Sequence, residues 1–578
     1  MESIIKYIGA MFPVVDTVRG YDSSDFKGDL NAGITVGIML IPQGMAYAIL
    51  AGMPPVYGLY ASIVPLLIYA LFGTSRQLAV GPVAMVSLLV IAGVGEIADV
   101  GSARFIQLAI LTALGVGLVQ FLMGVFRMGF LVNFLSHPVL SGFTSAAALI
   151  IGASQIKNLL GLDLPRTNYI HEILVGFVRQ FSEIDLITAA VGIGSIAAIV
   201  LIRRWKKTFP SALFVVIAGT LLTFAFGLAE TGVKIVGEIP EGLPSFTADF
   251  LNIADLQLLV PIILVISLVS YMESIAVAKA IANKHEYKVD ANQELVGLGM
   301  ANIAGSFFQS FPTTGGFSRT AVNDQSGAST TLAAVISAVI IALTVLFLTP
   351  LFYYLPNAVL AAIIMVAVAG LFDYKEMLNL WNTDKKDLTM LLVTFIATLT
   401  LGIEEGIGIG VLISLALVIY SSSKPHSAEL GRLGDSKTFR NIDRYDEASV
   451  NDEVLIFRFD APIYFANVEH FRESIDQKIE NHRSELELVI LDASAINNID
   501  STGVHMLTDL IQELNKSEVH FYIAGAIGPV RDKLKKSGVV ELMGKDTYFF
   551  DVDDALEYYK KSEDVRKERE FSPLQTNI

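Results

Sequence analysis

The sequence predicts a polytopic α-helical membrane protein that ends in a small α/β domain, and three observations lead to this fold class. Of the 578 residues, 53% are hydrophobic and only 17% are charged, which excludes a soluble globular protein of ordinary composition. The hydrophobic residues fall into about fourteen blocks separated by short polar or Gly/Pro-rich breaks. After the last block, the long apolar stretches are replaced by alternating strand and helix patterns.

Domain boundaries follow from these changes in composition. We predict a cytoplasmic N-terminal segment, a transmembrane domain, a linker, an α/β domain and a C-terminal tail, which span residues 1–29, 30–422, 423–440, 441–562 and 563–578. The N-terminal segment lacks a long apolar region ending in a cleavage site, so it does not have the pattern of a signal peptide.

Lysine and arginine are unevenly distributed over the connections between the apolar blocks. One set of alternate connections contains Arg76, Arg127, Arg203, Arg204, Lys206, Lys207, Lys279, Lys284, Lys288, Lys375, Lys385 and Lys386. The other set contains only Arg104, Lys157, Arg166, Arg179 and Lys234. Because positive residues favour the cytoplasmic side, this asymmetry predicts that both termini are cytoplasmic. We also expect the protein to lie in the inner or plasma membrane.

The overall charge and the absence of cysteine exclude several classes of partner. The formal net charge is −16, with the acidic excess near the C-terminal end, so no nucleic-acid partner is expected. Without cysteine there is neither a disulfide nor a thiolate metal site. No nucleotide-binding or metal-binding motif occurs in the α/β domain, and we expect no cofactor.

Two of the apolar segments are short and interrupted in matching positions. The third reads RQLAVGPVAMVSLL (76–89), with a glycine and then Pro82 where a helix is expected to begin. The tenth reads FPTTGGFSRTAV (311–322), again an extended approach followed by glycines and a helix. Broken helices at corresponding places of two halves predict a substrate site at the middle of the membrane, between inverted repeats.

The chemistry of these interruptions favours an anion. Each helix start leaves backbone N–H groups unpaired and has a partial positive charge, so two opposed starts form an anion trap. Ser318 can cap its helix or donate a hydrogen bond, and Arg319 adds a cation that can bind an oxyanion through two hydrogen bonds. In the alternative interpretation, Gly315 and Gly316 are packing contacts and Arg319 reaches the membrane surface by extending its side chain.

Glu273 lies about twelve residues into the otherwise apolar stretch 261–284. A carboxylate at such a depth is costly unless it is protonated or paired. We predict that Glu273 exchanges a proton during the function of the protein, and the alternative is a purely structural pair with Arg319. In the first apolar segment, Gln43 and Tyr47 share a helical face, where they can donate hydrogen bonds to an anion or serve as polar contacts between helices.

Together these motifs resemble the sulfate permease (SulP) family of anion transporters. The resemblance rests on IPQGMAYAILAGMPPVYGLYAS (41–62), GPVAMVSLL (81–89), VDANQELVGLGMANIAGSFFQSFPTTGGFSRTAV (289–322) and the C-terminal domain, which is similar to the STAS domain of anti-sigma factor antagonists. It covers nearly the whole chain.

The resemblance implies a fold of fourteen segments in a seven-plus-seven inverted repeat. Segments 1–4 and 8–11 would form a core that moves the anion by an elevator-like displacement against a gate, and the protein would be a homodimer. The implied substrate-binding residues are Gln43, Tyr47, Val83, Ala84, Phe317, Ser318 and Arg319. Glu273 matches the carboxylate of proton-coupled members such as plant sulfate transporters, and Arg319 matches its basic partner.

In the C-terminal domain, Ser501 matches the serine that is phosphorylated in bacterial antagonists, and its alternative role is that of a helix-cap residue. A cytoplasmic partner could bind at this domain.

The sequence therefore predicts a transporter, and not an enzyme, that imports an oxyanion together with a proton. Sulfate is the expected cargo. Two alternatives within the family are a sodium-coupled bicarbonate transporter and a proton-coupled dicarboxylate transporter. Two alternatives of a different class are an anion-sensing signalling protein and an anion channel.

Overall fold

The computed structural model describes residues 13–15, 20–130, 136–164, 170–205, 209–482, 486–544 and 547–570, with side chains at all of these except 403–404 and 563–570. The predicted N-terminal segment up to residue 12, the tail from residue 571, Arg166, Lys206 and Lys207 lie outside the described residues. The chain divides into two compact units, residues 1–414 and 415–578.

The first half of the membrane unit contains nine α-helices in its described residues, and a short strand precedes the fourth. The helices are α1 (Ser23–Leu50), α2 (Pro55–Tyr60), α3 (Val64–Phe72), α4 (Ala84–Gly95), α5 (Ala103–Val125), α6 (His137–Leu160), α7 (Ile170–Arg179), α8 (Leu186–Trp205) and α9 (Ser211–Ala225), and the strand is β1 (Val80–Gly81).

The second half repeats this arrangement, again with a short strand before a short helix. Its helices are α10 (Ile253–Leu258), α11 (Val260–Lys284), α12 (Ala291–Ser306), α13 (Phe317–Gln325), α14 (Leu332–Phe347), α15 (Asn357–Ala369), α16 (Tyr374–Thr383), α17 (Lys385–Thr400) and α18 (Ile403–Ser423), and the strand is β2 (Thr314–Gly315).

Within the described residues, eight helical stretches are long and apolar enough to cross a membrane. The segments predicted to be short are indeed short: α4 has 12 residues, α13 has 9 and α15 has 13. A helix needs roughly 20 apolar residues to cross a bilayer, so α4 and α13 each extend through only part of it. The total of fourteen segments stays a prediction.

The helices of the membrane unit pack as two groups. In the core group (α1–α5 and α10–α14), α12 lies along α5 and α3, and α14 lies along α1. In the gate group (α6–α9 and α15–α18), α6 packs against α15 and α17. Glycines bring the core helices close together, because a Cβ atom on Gly117 of α5 would lie 2.7 Å from the carbonyl oxygen of Gly299 on α12.

The first helix begins earlier than the predicted start of the membrane domain at residue 30. Asp22 caps α1 by accepting hydrogen bonds from the backbone N–H groups of Ser24 and Asp25, at 2.7 Å and 2.9 Å. The Asp25 side chain accepts from the N–H of Asp22 in return, which completes a capping box. The first turns of α1 contain charged residues, so the apolar pattern of the sequence did not reveal where the helix begins.

The C-terminal unit is a sheet covered by helices. The strands are β3 (Ser427–Leu433), β4 (Phe439–Asn441), β5 (Ala448–Ser449), β6 (Val454–Phe459), β7 (Leu488–Asp492), β8 (His520–Ala524) and β9 (Tyr548–Phe549). The helices are α19 (Val468–Asn481), α20 (Ser501–Lys516), α21 (Gly528–Lys536), α22 (Val539–Met543) and α23 (Val552–Glu570). Strands β6 to β9 are parallel neighbours in sequence order, and β3 pairs antiparallel with β6 and with the short strands β4 and β5.

The predicted linker 423–440 is not a linker over most of its length. Strand β3 lies inside it and pairs with β6, for example Ser427 with Phe459. Its sequence, SAELGRL, has few apolar residues and no regular alternation, so it lacks the pattern of a strand. Its partner β6 is apolar and supplies the pairing that the local sequence does not predict.

Asp553, at the start of α23, connects the edge of this sheet to the last helix. The side chain is 4% exposed and lies 3.0 Å from Lys437 Nζ, and it also accepts a hydrogen bond from Arg432. Burial raises the pKa of the Asp553 carboxyl, but the hydrogen bonds from Lys437 and Arg432 outweigh this and hold the pKa below its ordinary value. The folded unit is thus more stable when Asp553 is ionised.

We expect residues 424–570, expressed alone, to fold, and Asp553→Asn to lower their free energy of unfolding at pH 7 by about 1 kcal/mol. A carboxyl whose pKa is lowered by folding stabilises the folded state above its unfolded pKa, and this contribution is lost as the pH falls. The difference between wild type and variant should therefore shrink from about pH 5 downwards in urea titrations. Glu557→Gln changes a carboxyl that is 53% exposed on the same helix and serves as the control. A difference that persists at low pH would contradict the assignment.

Candidate functional site

The two short strands that precede α4 and α13 pair with each other inside the core group. The pairing is antiparallel, with Val80 opposite Gly315 and Gly81 opposite Thr314. The backbone N–H of Gly316 also donates to the carbonyl of Ala79, at 3.1 Å. The pairing brings the starts of the two short helices together, as the sequence predicted.

We call β1 and β2, with the residues that join them to α4 and α13, the crossing. Side chains form hydrogen bonds with backbone groups at the crossing that the strand pairing leaves free. The Ser274 hydroxyl of α11 accepts the N–H of Gly315 at 2.8 Å, and the Thr314 hydroxyl of β2 donates to the carbonyl of Ser270 on α11 at 2.6 Å. From α13, the Thr320 hydroxyl accepts the N–H of Ala79 at 3.1 Å. Ser274 and Ser270 thereby fix α11 to the crossing. They lie one position after Glu273 and about one turn before it.

The first turns of α4 and α13 are not capped by side chains. Val83 and Gly316 occupy the capping positions, and neither helix has a side-chain cap among the described residues. Val83 and Ala84 are buried, whereas Phe317 is 61% exposed and Ser318 is exposed as well. The unpaired N–H groups of two helix starts are therefore available at one place, with an open side at α13.

Two details of the predicted helix starts are wrong. Helix α4 begins at Ala84 and not at Pro82, because Val83 keeps an extended backbone and the carbonyl of Pro82 accepts a hydrogen bond from Arg319. Ser318 does not cap α13, because it lies inside the first turn while Gly316 holds the capping position.

Arg319 is almost completely buried, with 1% of its surface exposed. One terminal guanidinium nitrogen donates to the carbonyl of Pro82, and the other lies 3.5 Å from the carbonyl of Ala79. Its Nε atom has no hydrogen-bond partner among the described residues. The alternative in which Arg319 extends to the membrane surface is therefore excluded, and its positive charge lies at the crossing itself.

The glycines next to Arg319 serve packing. A Cβ atom on Gly316 would lie 2.8 Å from the guanidinium carbon of Arg319, and one on Gly315 would lie 2.6 Å from the Leu78 side chain. Gly81 has a φ of 156°, a value that other residues rarely adopt. These distances agree with the alternative interpretation of the sequence in one respect, namely that Gly315 and Gly316 are packing contacts.

Glu273 lies on α11 without an ion pair to Arg319. Within the described residues, no carboxylate oxygen comes within 4 Å of the Arg319 guanidinium, and the buried Oε2 atom of Glu273 has no hydrogen-bond partner. A structural pair in direct contact, the alternative for Glu273, is not formed.

Gln43 and Tyr47 lie on α1 and are 2% and 5% exposed. The Gln43 Oε1 atom has no hydrogen-bond partner among the described residues. The Ser87 hydroxyl at the start of α4, which the sequence did not single out, is also buried without a partner. Buried polar atoms without partners are uncommon, and those on α1, α4, α11 and α13 favour a polar ligand or water among these helices.

Glu294 is one of the buried carboxylates of the membrane unit that the sequence did not single out. Glu294, near the start of α12, is fully buried and accepts four hydrogen bonds, from the Tyr69 hydroxyl at 2.7 Å, from the N–H and hydroxyl of Thr74 at 2.6 Å each, and from the N–H of Ser75 at 3.0 Å. These contacts fix the turn that leads into β1. Like Glu273, Glu294 is an acid inside an apolar segment, which could have indicated a buried carboxylate. It was not singled out because it lies near a helix end, where acids are common.

Ser501 is exposed at the first position of α20, in the C-terminal unit. The helix cap is Asp500, which accepts the N–H of Gly503 at 2.8 Å, and its other carboxylate oxygen accepts the N–H of Phe465 at 2.9 Å. Ser501 therefore does not cap the helix, and its phosphorylation stays a prediction.

A cavity of about 450 Å³ lies between the core and gate groups at the opposite end from Arg76 and Arg203. Glu96, Lys157 and Asn357 are among its lining residues. It contains none of the predicted anion-site residues, so it is separate from the crossing.

Two family models match the chain. A model of the sulfate permease family matches residues 26–394, and a model of the STAS domain matches residues 445–555. The chain is 42% identical over 570 residues to the chloroplastic sulfate transporter 4.1 of Arabidopsis thaliana, an alignment that covers 96% of this chain and 83% of that protein. It is 36% identical over 576 residues to the high affinity sulfate transporter 2 of Stylosanthes hamata, with 96% and 87% covered.

Solved structures have the same fold. The murine anion transporter Slc26a9 in the inward-facing state matches with a TM-score of 0.90 at 26% identity, over 96% of this chain and 95% of that chain. The transmembrane domain of the cyanobacterial bicarbonate transporter BicA matches with a TM-score of 0.59 at 21% identity, over 68% of this chain and 98% of that chain, and supports the fold alone. The predicted fold class is confirmed, and the matches indicate an anion transport protein and not an enzyme.

Gly316→Ala should weaken anion binding without unfolding the protein, because the added methyl group meets the movable end of the Arg319 side chain. We expect the variant to need about tenfold more sulfate for the same rise in melting temperature as the wild type, which is the loss expected for one hydrogen bond to a charged group. Gly152→Ala is the matched control, because a Cβ atom there meets nothing within 4 Å. Equal sulfate dependence in both variants would contradict the role given to Arg319.

Proposed function

The chain belongs to the sulfate permease family, and on that premise we propose that it is a secondary active transporter that imports sulfate together with a proton. The observation that carries the proposal is the meeting of two uncapped helix starts around the buried cation of Arg319. Relatives that are named sulfate transporters support sulfate as the cargo. The proposed binding residues are Gln43, Tyr47, Val83, Ala84, Phe317, Ser318 and Arg319.

Recognition in this proposal depends mainly on charge. The N–H groups at the starts of α4 and α13 surround the anion, and the partial positive charge of each helix end attracts it. Arg319 adds a full positive charge while its hydrogen bonds to the carbonyls of Pro82 and Ala79 hold it in place. Ser318 and Gln43 can donate hydrogen bonds to anion oxygens.

Glu273 couples the anion to the proton. When Glu273 is ionised, its negative charge opposes a second anion and offsets the charge of Arg319. Protonation removes this opposition, so the site loads an anion and a proton together. Two unit charges about 4 Å apart interact by about 4 kcal/mol at an effective dielectric constant near 20, and the longer separation between Glu273 and Arg319 reduces this value. A proton gradient directed inwards then drives uptake.

Transport follows an elevator movement in this proposal. The crossing, Arg319 and Glu273 all belong to the core group, so the core group can move against the gate group without changing the site. We further propose that the protein is a homodimer in the inner or plasma membrane with both termini in the cytoplasm. The C-terminal domain offers a surface for a cytoplasmic partner, and phosphorylation of the exposed Ser501 could regulate such binding.

Glu273→Gln should abolish the accumulation of sulfate that a pH gradient drives, because a glutamine cannot exchange a proton. Exchange of sulfate for sulfate should persist at a rate within a few-fold of the wild type, because the neutral side chain resembles the protonated acid. The measurement is uptake of labelled sulfate into proteoliposomes under imposed pH or sodium gradients.

Glu96→Gln makes the same chemical change at an exposed residue and serves as the control. If Glu273→Gln accumulates sulfate as the wild type does, Glu273 is not the coupling residue. Accumulation that depends on sodium and not on protons would overturn proton symport.

A further inference from the structure

Side chains join the C-terminal ends of α11 and α13. Asp324 lies in the last turn of α13, and its side chain is only 4% exposed. The Asp324 carboxylate accepts a hydrogen bond from Lys284 Nζ at 2.5 Å, and its other oxygen contacts Nε2 of the His285 ring. Lys284 is the last residue of α11, and His285 follows it. We call Asp324, Lys284 and His285 the clasp.

The crossing joins the same two helices at a different height. There the Ser274 hydroxyl of α11 accepts the N–H of Gly315, two residues before α13 begins. Lys284 follows Ser274 by ten residues, about 15 Å of helix, and Asp324 follows Gly315 by nine. The two stretches are similar in length and lead in the same direction, and the helices contact each other. Between the crossing and the clasp, α11 and α13 therefore lie side by side.

Helix α13 depends on such contacts for its orientation. It has only nine residues, and a helix of this length is not stable by itself. Near its end, the Asn323 side chain is 3% exposed and donates to the carbonyl of Gln77 at 2.8 Å, next to the clasp. Arg319 lies four residues before Asn323, on the same face of the helix. Contacts at the end of α13 thus help to determine where Arg319 lies.

We propose that Asp324 is a positioning residue for transport, which acts through the clasp to hold Arg319 in place relative to Glu273. The inference rests on the proposed proton-coupled transport of sulfate. Glu273 precedes Ser274 on α11, whereas Arg319 lies on α13, so a shift of α13 along or away from α11 changes the separation of the two charges. Their interaction depends on that separation. A broken clasp therefore weakens sulfate binding and lets sulfate cross without its proton.

The test compares two measurements in proteoliposomes that contain the full chain. One is the accumulation of labelled sulfate under an inward proton gradient, and the other is sulfate-for-sulfate exchange at saturating sulfate. Loss of a hydrogen bond to a charged group makes release of the helix end about tenfold more frequent. We expect Asp324→Asn to lose most of the accumulation and to keep exchange within a few-fold of the wild type. Asp249→Asn changes an exposed acid outside the clasp and should alter neither measurement.

Lys284→Gln removes the partner of Asp324 and should uncouple transport in the same way. Lys288→Gln removes the same charge from an exposed residue of the same connection and is its control. A purely structural role would instead lower accumulation and exchange in proportion.

A reversible cross-link provides a rescue experiment, because the chain contains no cysteine. The double variant Lys284→Cys and Asp324→Cys should be uncoupled. Linking the two thiols with a short bifunctional methanethiosulfonate should restore accumulation, and reduction should abolish it again.

The proposal is overturned if Asp324→Asn accumulates sulfate as Asp249→Asn does, if accumulation and exchange fall together, or if the cross-linked variant stays uncoupled. If a proton gradient drives no accumulation in the wild type, the proposed function fails. The sulfate-dependent rise in melting temperature of the purified chain then decides the role of Asp324. Asp324→Asn should need about tenfold more sulfate than Asp249→Asn for the same rise, and an equal requirement contradicts the role.

Discussion

The antiparallel pairing of β1 with β2 is the constraint on which the membrane unit depends. A bilayer offers no hydrogen bonds, so a chain that leaves its helix inside the membrane must find internal partners for its backbone. Here each interruption supplies partners for the other, and the hydroxyls of Ser274 and Thr320 accept two further backbone N–H groups. Among the described residues, no side chain caps the starts of α4 and α13, so a ligand can use their N–H groups.

Arg319 illustrates how a buried charge is kept available. A buried cation usually needs an acidic partner, and the energetic gain of such a pair is often cancelled by the loss of hydration. Arg319 instead uses the carbonyl oxygens of Pro82 and Ala79, which are dipoles and do not neutralise it. Its charge therefore acts on whatever occupies the site.

The positions of the interrupted helices could be predicted from sequence because glycine, proline and an arginine are anomalous in apolar segments. The partners of these residues could not, because they come from distant parts of the chain. Arg319 contacts the carbonyl of Pro82, and the crossing depends on Ser270 and Ser274, which are ordinary residues of an apolar helix. Strand β3 was not predicted for the same reason, because it pairs with the distant strand β6 and its own sequence has no strand pattern.

The complete burial of Arg319 has a consequence for the electrical properties of a carrier of the proposed kind. If the core group moves with ionised Glu273 and Arg319 and no cargo, the two charges cancel. With a sulfate dianion and one proton on Glu273, the moving unit has a net charge of minus one. An inside-negative voltage then opposes inward movement by about 2.3 kcal/mol for each 100 mV, so uptake against such a voltage requires either a steep proton gradient or more than one proton for each sulfate.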